Sequence, residues 1–455
     1  MLGPKPVCAS RVVVPVLITT LSACAEPQGR DLLLVTLDTF RADHLSALGD
    51  SPVQTPGLDA LGSRGAVFER HYSVANVTGP SHASMLTGKF PRELGMRRNG
   101  NPLSDRFPSL PEELGDEGFT TAAFLSAGVL SSEYGFDRGF DRFDEDFGFE
   151  NGDPIYERAG EETVALARDW LAQESGEAGI FLWVHLFDAH LPHRSLDPIR
   201  VRPEPSFAGE TWTESERLQQ QEWFGASYAA EVARVDRLCA ELDHMWSQRA
   251  GSRGSFMAFT SDHGEGLWEH DYLGHSLQLY QMQIHVPLIL VAPGRIAPGT
   301  RIEGPTGAVE LAGTLWNGAI PRSKGEVFGP GLWGLLDGTG APSRRVIAEQ
   351  FAMPGWLRHL RGENGTDDPR NASKFAVMED DLKYIWNEAG PAEFFRLADD
   401  PGERTNLAES YPDRVASWDR KRERYLASTP TARGASASKK PQTQEMLNAL
   451  GYTEE

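Results

Sequence analysis

Asp38 stands directly after the apolar run Leu32–Leu37, and Asp262 and His263 stand directly after Ser255–Thr260. If these runs are parallel strands, the three side chains emerge at the carboxyl ends of strands, where open parallel sheets bind ligands. Two carboxylates and an imidazole make a donor set for one divalent cation with an open coordination position. Mixed oxygen and nitrogen ligation favours Mn2+ or Zn2+, with Ca2+, which prefers all-oxygen cages, as the alternative. By residue type alone, an Asp after a strand also serves as a helix cap or turn former. Thr78 precedes Pro80, a residue suited to the first turn of a helix through Ser81–Leu86. A helix start offers N–H groups and partial positive charge to an anionic ester. A cation touching the Thr78 oxygen would let its alkoxide attack near neutral pH. The competing reading of Thr78 is an ordinary N-cap.

Short apolar runs alternate with helix-period segments, the pattern of a parallel sheet covered by helices. Strands are expected at Leu32–Leu37, Phe119–Leu125, Ile180–Phe187, Ser255–Thr260 and Val286–Val291. Helices are expected at Pro56–Leu61, capped by Thr55, and at Tyr156–Gln173 and Trp223–Trp246. The polar stretches Pro192–Glu222 and Gly355–Ser373 read as loops that shape a cleft. Phe375–Trp386 and Glu393–Leu397 read as a hairpin in a small antiparallel C-terminal subdomain, and Pro430–Thr443 as a flexible tail.

The 455 residues suffice for one large α/β domain and a smaller one, because single cores stop growing near ~250–300 residues. With 44 basic against 65 acidic residues the chain carries a net charge of −21. Such a surface repels nucleic acid and anionic membrane, so neither is an expected partner. It does nothing to attract an anionic substrate either; a local cationic site must do that. Lys5 and Arg11 flank the apolar run Val12–Leu21, far short of the roughly 18 residues of a membrane span. The run ends in Leu21-Ser22-Ala23-Cys24, which resembles a bacterial lipobox; an ordinary cleaved signal with a chance Cys is the alternative. Of three cysteines, Cys8 would leave with the signal and Cys24 would take lipid. Cys239 then has no partner and reads as a small core residue of a helix. The expected layout is a signal over 1–23, a tether over 24–30, a catalytic domain over 31–320, a C-terminal subdomain over 321–427 and a tail over 428–455.

Thr78 to Gly88 (TGPSHASMLTG) resembles the nucleophile segment of the sulfatase family, within the alkaline phosphatase superfamily. LDTFRADH around Asp38 and TSDHGEG around Asp262 resemble that family's metal motifs, in order and context. FDAHLPH resembles its HxP-type segment and maps His190 beside the transferred group. GHSLQLYQMQIHVPLIL maps His275 near the leaving group. Asn99-Gly100, by itself a turn signal, falls where related phosphodiesterases and phosphonate monoester hydrolases carry an Asn that donates to a non-bridging oxygen. The resemblance runs in order from Asp31 to Leu407, ending in FFRLADDPGERTNL, and extends to the tail MLNALGYTEE.

The departures concern chemistry. Sulfatases carry a Cys or Ser at the position of Thr78, oxidised to formylglycine, and threonine cannot be converted to it. Thr39 replaces the second Asp of the family's pair, His263 a usual Asn, and His82 a usual Arg. Ser126, Ala127 and Gly128 stand where sulfatases have Lys-x-His. This pattern is closer to phosphonate monoester hydrolases, lipoteichoic acid synthases and phosphoethanolamine transferases. The resemblance implies a three-layer α/β sandwich with a small antiparallel C-terminal subdomain. It implies a metal-dependent hydrolase of a sulfate, phosphate or phosphonate ester of a small molecule or glycan, working through a covalent Thr78 intermediate. Asp38, Asp262, His263 and Thr78 would hold the metal; His190 and Asn99 would stabilise charge, and His275 would act as acid. Thr39 and His82 fall on the substrate side, with His82 also able to serve the loop. A transferase, or an inactive surface lipoprotein that binds a glycan or partner, are the alternatives. The anchor is expected to hold the chain at the outer membrane, in the periplasm or at the cell surface. Cys24→Ser should then release the protein from membranes or leave the signal uncleaved. Normal processing with unchanged membrane retention in cell fractionation would remove the lipid anchor.

Overall fold

The computed structural model describes residues 3, 31–150, 153–176, 178–193, 213–250, 254–320, 327–340, 345–352, 369–429, 431–432 and 445–446. The N-terminal segment with Cys24, most of both expected cleft loops and most of the tail lie outside the described residues. In chain order the central sheet is built from β1 (Asp31–Leu37), β2 (Ala66–Phe68), β3 (Thr120–Leu125), β4 (Arg142–Asp144), β5 (Ile180–Leu186), β6 (Ser255–Ser261), β7 (Leu288–Val291) and β8 (Thr300–Ile302). Across the sheet they lie in the order β8-β2-β7-β6-β1-β5-β3-β4. Strands β6, β1, β5, β3 and β4 run parallel, and β7 is antiparallel to both of its neighbours.

The long central strands are apolar at nearly every position because both faces are covered. Leu32, Leu34, Phe181, Trp183, Phe256 and Ala258 face one hydrophobic layer, shared with the helix at Leu311–Ala319. The alternate residues Leu33, Val35, Leu182, Val184, Met257 and Phe259 face the other, shared with helices at Pro56–Arg64, Gly160–Gln173 and Glu214–Ala250. The result is the expected α/β sandwich. A second, antiparallel sheet of Arg345–Gln350, Lys374–Glu379, Leu382–Asn387 and Glu393–Arg396 forms the C-terminal part.

Several element bounds differ from expectation, for local reasons. Val286–Val291 is broken at Pro287, which has no N–H for a ladder; His285–Val286 pairs instead with His71–Tyr72. Phe375–Trp386 is itself a hairpin turning at Asp380–Asp381, so the C-terminal sheet has four strands rather than two. The long helix starts at Glu214, inside the stretch expected to be loop, because its first turns are polar and carry no apolar period. Cys239 is buried in the core, as its helix pattern implies.

Register delivers the site. Thr36 of β1 lies opposite His185 of β5 and Thr260 of β6, and Leu37 opposite Ser261. The chain beyond β1 and β6 therefore leaves the sheet at the same level, with Asp38 beside Asp262. Asp38 N still donates to Leu186 O at 2.8 Å. Thr39 then turns with φ +56, a left-handed conformation unfavourable for a branched residue. Tyr228, on the long helix, holds this turn: its hydroxyl donates to Thr39 O at 2.7 Å and accepts from Arg41 N at 2.9 Å. Tyr228→Phe leaves both backbone groups unpaired in a buried place. It should cost about 1–3 kcal/mol in urea unfolding, and an unchanged midpoint would show that the turn stands without it.

Candidate active site

The site is built around four groups. Asp38, Thr78, Asp262 and His263 are each fully buried. Each acid uses one oxygen to fix its orientation. Asp262 Oδ1 accepts the N–H groups of His263 at 2.8 Å and Thr39 at 3.2 Å, and Asp38 Oδ2 lies 3.3 Å from His185 Nε2. The second oxygens, Asp38 Oδ1 and Asp262 Oδ2, are enclosed without a hydrogen-bond partner among the described residues. His263 Nδ1 faces the Gly264 carbonyl at 3.0 Å and so carries the proton, which leaves the lone pair of Nε2 on the opposite side. That nitrogen is 3.2 Å from Thr78 Oγ1 and 3.4 Å from Asp262 Oδ2. Ligand atoms of Asp38, Asp262 and His263 all lie within 4.8 Å of one another.

Thr78 opens the helix Thr78–Thr87, three residues earlier than expected. The N-cap is Val77, so the Thr78 hydroxyl is not spent on capping. It addresses His263 Nε2 and the Asp38 carboxyl instead. The free N–H groups expected at this helix start are largely absent. Pro80 has none, and Gly79 N donates to Asn99 Oδ1 at 2.7 Å. That bond turns Asn99 so that its amide Nδ2, enclosed without a partner among the described residues, remains as the donor.

Buried charge dominates the electrostatics. Desolvation, partly offset by His263, pushes the Asp38 carboxyl up to about 7. Burial and then Asp38 also raise Asp262. Burial lowers the His263 imidazole, but Asp262 and Asp38 together outweigh it and hold the ring above its usual value. Burial drives His82 and His190 down to about 3 and His185 to about 4, so these rings are neutral. Among the described residues no Lys or Arg side chain bonds to Asp38 or Asp262. Two enclosed carboxylates, each with one oxygen unbonded among the described residues and no Lys or Arg beside it, suit a bound divalent cation, so the residues fit one.

The remaining expected residues fall around this centre. His82 sits one turn after Thr78, its Nδ1 2.9 Å from Thr78 O and 3.7 Å from Asp262 Oδ2, with its ring against Trp183. That placement braces the first turn of the Thr78 helix, and His82 is only 1% exposed. Thr39 presents its backbone N–H to Asp262, while its hydroxyl is enclosed. His275 and His190 come together, their ring centres 5.1 Å apart, and the His275 ring is 4.3 Å from that of His263. Ser126 and Gly128, in the place of Lys-x-His, make structural contacts: Ser126 Oγ with Thr163 Oγ1 at 2.7 Å, and Gly128 N with Tyr156 O.

Three participants were missed in the sequence. His185 lies inside a strand, where a histidine looks like a core residue; only the pairing with Thr36 brings it to Asp38. Glu265 bonds His275 Nδ1 at 3.0 Å, and its place in Asp262-His263-Gly264-Glu265 was the available signal. Ser81 donates to the Asp262 carbonyl at 2.7 Å. Gly264 between them allows a close backbone crossing: a Cβ there would come within 2.1 Å of Met282 O.

The sulfatase family model matches residues 30–317. The chain belongs to the sulfatase family. Among curated relatives, arylsulfatase K of Xenopus laevis is 22% identical over 89% of this chain and 84% of its own. N-acetylglucosamine-6-O-sulfatase of Bacteroides thetaiotaomicron is 29% identical over 33% of this chain and 29% of its own. Among solved structures, one described as in complex with its substrate D-glucosamine-2-N,6-O-disulfate has a TM-score of 0.70 and 19% identity, covering 88% of this chain and 98% of that one. The phosphonate monoester hydrolase of Agrobacterium radiobacter has a TM-score of 0.66 and 21% identity, over 88% and 96%. Such homologues support a hydrolase of sulfuric or phosphoric esters.

A cation entering this sulfatase-family site must displace the proton that Asp38 holds below about pH 7. Affinity should therefore weaken as pH falls, by up to roughly tenfold per unit for each proton displaced. Calorimetric titration of chelator-stripped protein with Mn2+ between about pH 8 and pH 6 reads this directly. A constant Kd without proton release would exclude a buried Asp38 from the ligand set.

Proposed function

We propose that this chain hydrolyses an anionic phosphate, phosphonate or sulfate ester through a covalent ester on Thr78, with one divalent cation held by Asp38, Asp262 and His263. The observation that carries this is the Thr78 hydroxyl, uncapped and buried against His263 Nε2 within a cation donor set. When bound, the cation supplies positive charge to the Thr78 oxygen and to a substrate oxygen.

The chain's own groups do the rest. Thr78 gives its hydroxyl proton to solvent water, Oγ1 forms a bond to phosphorus or sulfur as the bond to the departing alcohol oxygen breaks, and His275, oriented by Glu265, donates a proton to that oxygen. Water then cleaves the threonyl ester, releases the anion and restores the hydroxyl. Asn99, fixed by Gly79 N, directs Nδ2 at a non-bridging oxygen, and the dipole of the Thr78 helix adds to that field. The cluster of His190, Glu265 and His275 lies on the side where the leaving oxygen would emerge. Phosphorus chemistry suits Thr78 better than sulfur chemistry: a formylglycine can expel sulfate by hemiacetal collapse, whereas a threonyl ester must be hydrolysed outright. A glycan carrying the ester agrees with the disulfated glucosamine seated in one structural neighbour. A lipid on Cys24 would place this activity at a membrane surface.

Thr78→Ala should abolish turnover, on the order of 10^4–10^6-fold in kcat, while keeping the fold and the bound cation. Lost helix-start contacts alone cost at most about 2 kcal/mol of stability, so the two roles separate by size of effect. Thr78→Ser should keep part of the rate. Intact-mass spectrometry during turnover of aryl phosphate, phosphonate and sulfate esters should show an adduct of about 80 Da for a phosphoryl or sulfo group. Full activity in Thr78→Ala would mean that water attacks directly.

A further inference from the structure

We infer that Asn76 is a positioning residue for Thr78, and that through it the C-terminal sheet sets the nucleophile. The inference rests on reading Thr78 as that nucleophile. Asn76 stands two residues before Thr78 and is 1% exposed. Its amide Nδ2 lies 2.7 Å from Gln278 O, 3.2 Å from Gln283 Oε1 and 3.3 Å from Gln350 Oε1. Gln283 and Gln350 are buried as well. Both glutamines are oriented by their own donors. Gln283 Nε2 donates to Gly274 O at 3.3 Å, and Gln350 Nε2 donates to Ala372 O at 2.9 Å and Arg370 O at 3.0 Å. Each glutamine oxygen is thereby turned to Asn76, and the group that faces three oxygens must be the donor Nδ2.

An asparagine ahead of a helix ordinarily bonds its own backbone or caps the first turn. Here the three acceptors lie 202 to 274 positions further along the chain. They also belong to elements that build the site. Gln283 O accepts from Gly264 N at 2.8 Å, next to His263, and Gly274 precedes His275. Gln350 ends the strand Arg345–Gln350 of the C-terminal sheet. Thr78 is therefore held from both sides. Before it, Asn76 ties the chain to the C-terminal sheet and to the His275 loop. After it, Ser81 donates to Asp262 O at 2.7 Å, and Ser73 Oγ meets Ser81 Oγ at 2.9 Å. Two residues of chain span at most about 7 Å, so a shift at Asn76 passes to Thr78 Oγ1 with little slack. A displacement of about 1 Å at a reacting atom costs on the order of 100-fold in rate.

The test uses the full chain with Mn2+ and whichever of 4-nitrophenyl phosphate, 4-nitrophenyl phenylphosphonate and 4-nitrophenyl sulfate the wild type cleaves fastest. Asn76→Ala and Gln350→Met should each slow nitrophenolate release in a single turnover by roughly 10- to 100-fold at saturating ester. The half-saturating ester concentration should stay unchanged. The double variant should lose no more than the worse single variant, because both changes break one linkage. Rates are taken per folded protein by circular dichroism. Gln350→Met, close in volume to the native side chain and remote from the helix, carries the test if Asn76→Ala does not fold. Wild-type rates in the folded variants, with only a lower urea midpoint, would show that the amides stabilise the fold and nothing more, which overturns the inference. So would losses that multiply in the double variant. Thr78→Ala separates the two readings. An inactive Thr78→Ala beside a fully active Gln350→Met overturns the positioning role alone. A fully active Thr78→Ala, or a wild type that cleaves none of the three esters, overturns both.

Discussion

Buried negative charge with no Lys or Arg beside it among the described residues is the constraint on which this structure turns. Asp38 and Asp262 come from strands that lie side by side, and their register admits no separation of the two carboxylates. Ionised carboxylates removed from water are tolerated only when paired, hydrogen-bonded or neutralised. Backbone N–H groups and His185 satisfy one oxygen of each acid, and the other oxygen of each is left vacant. In the proposed reading, a bound cation would supply what is missing. The same constraint explains the ring of neutral histidines: His82, His185 and His190 add hydrogen-bonding nitrogens without requiring further charge to be buried.

Around that centre the chain spends unusual local geometry on orientation. Thr39 adopts a left-handed conformation so that its N–H reaches Asp262, and Tyr228 holds the turn from behind. Val77 takes the helix cap, which frees Thr78 to face His263. Asn99 gives its oxygen to Gly79 and so presents its amide. Strain and unsatisfied groups of this kind gather where the surroundings over-determine them, and here they converge on one hydroxyl.

The departures from the family pattern become coherent in this frame. Sulfatases that use formylglycine carry basic residues beside it; this chain has His82 and Ser126 at two such positions, and both face inward onto the protein. In the proposed reading, the positive charge the reaction needs would come from a bound cation instead of from these side chains. Thr78 in the place of the usual Cys or Ser and His263 in the place of the usual Asn agree with that proposal.

Much of this was readable from sequence. Apolar runs of strand length ending in acidic residues determined the parallel sheet and the level of the site, because a strand buried on both faces has no other composition available. The motifs around Thr78, Asp38 and Asp262 determined the family. What the sequence left open was orientation. Thr78 as a cap and Thr78 as a residue facing His263 are the same letter in the same motif, and only the tertiary structure, by giving the cap to Val77, separates them. His185 inside a strand and Glu265 in a loop are 80 residues apart in the chain, and each has an ordinary structural use. Their meeting with Asp38 and His275 is set by strand register and by a backbone crossing at Gly264. Such contacts depend on which strand lies next to which, a property of long-range packing that no local pattern of residues encodes.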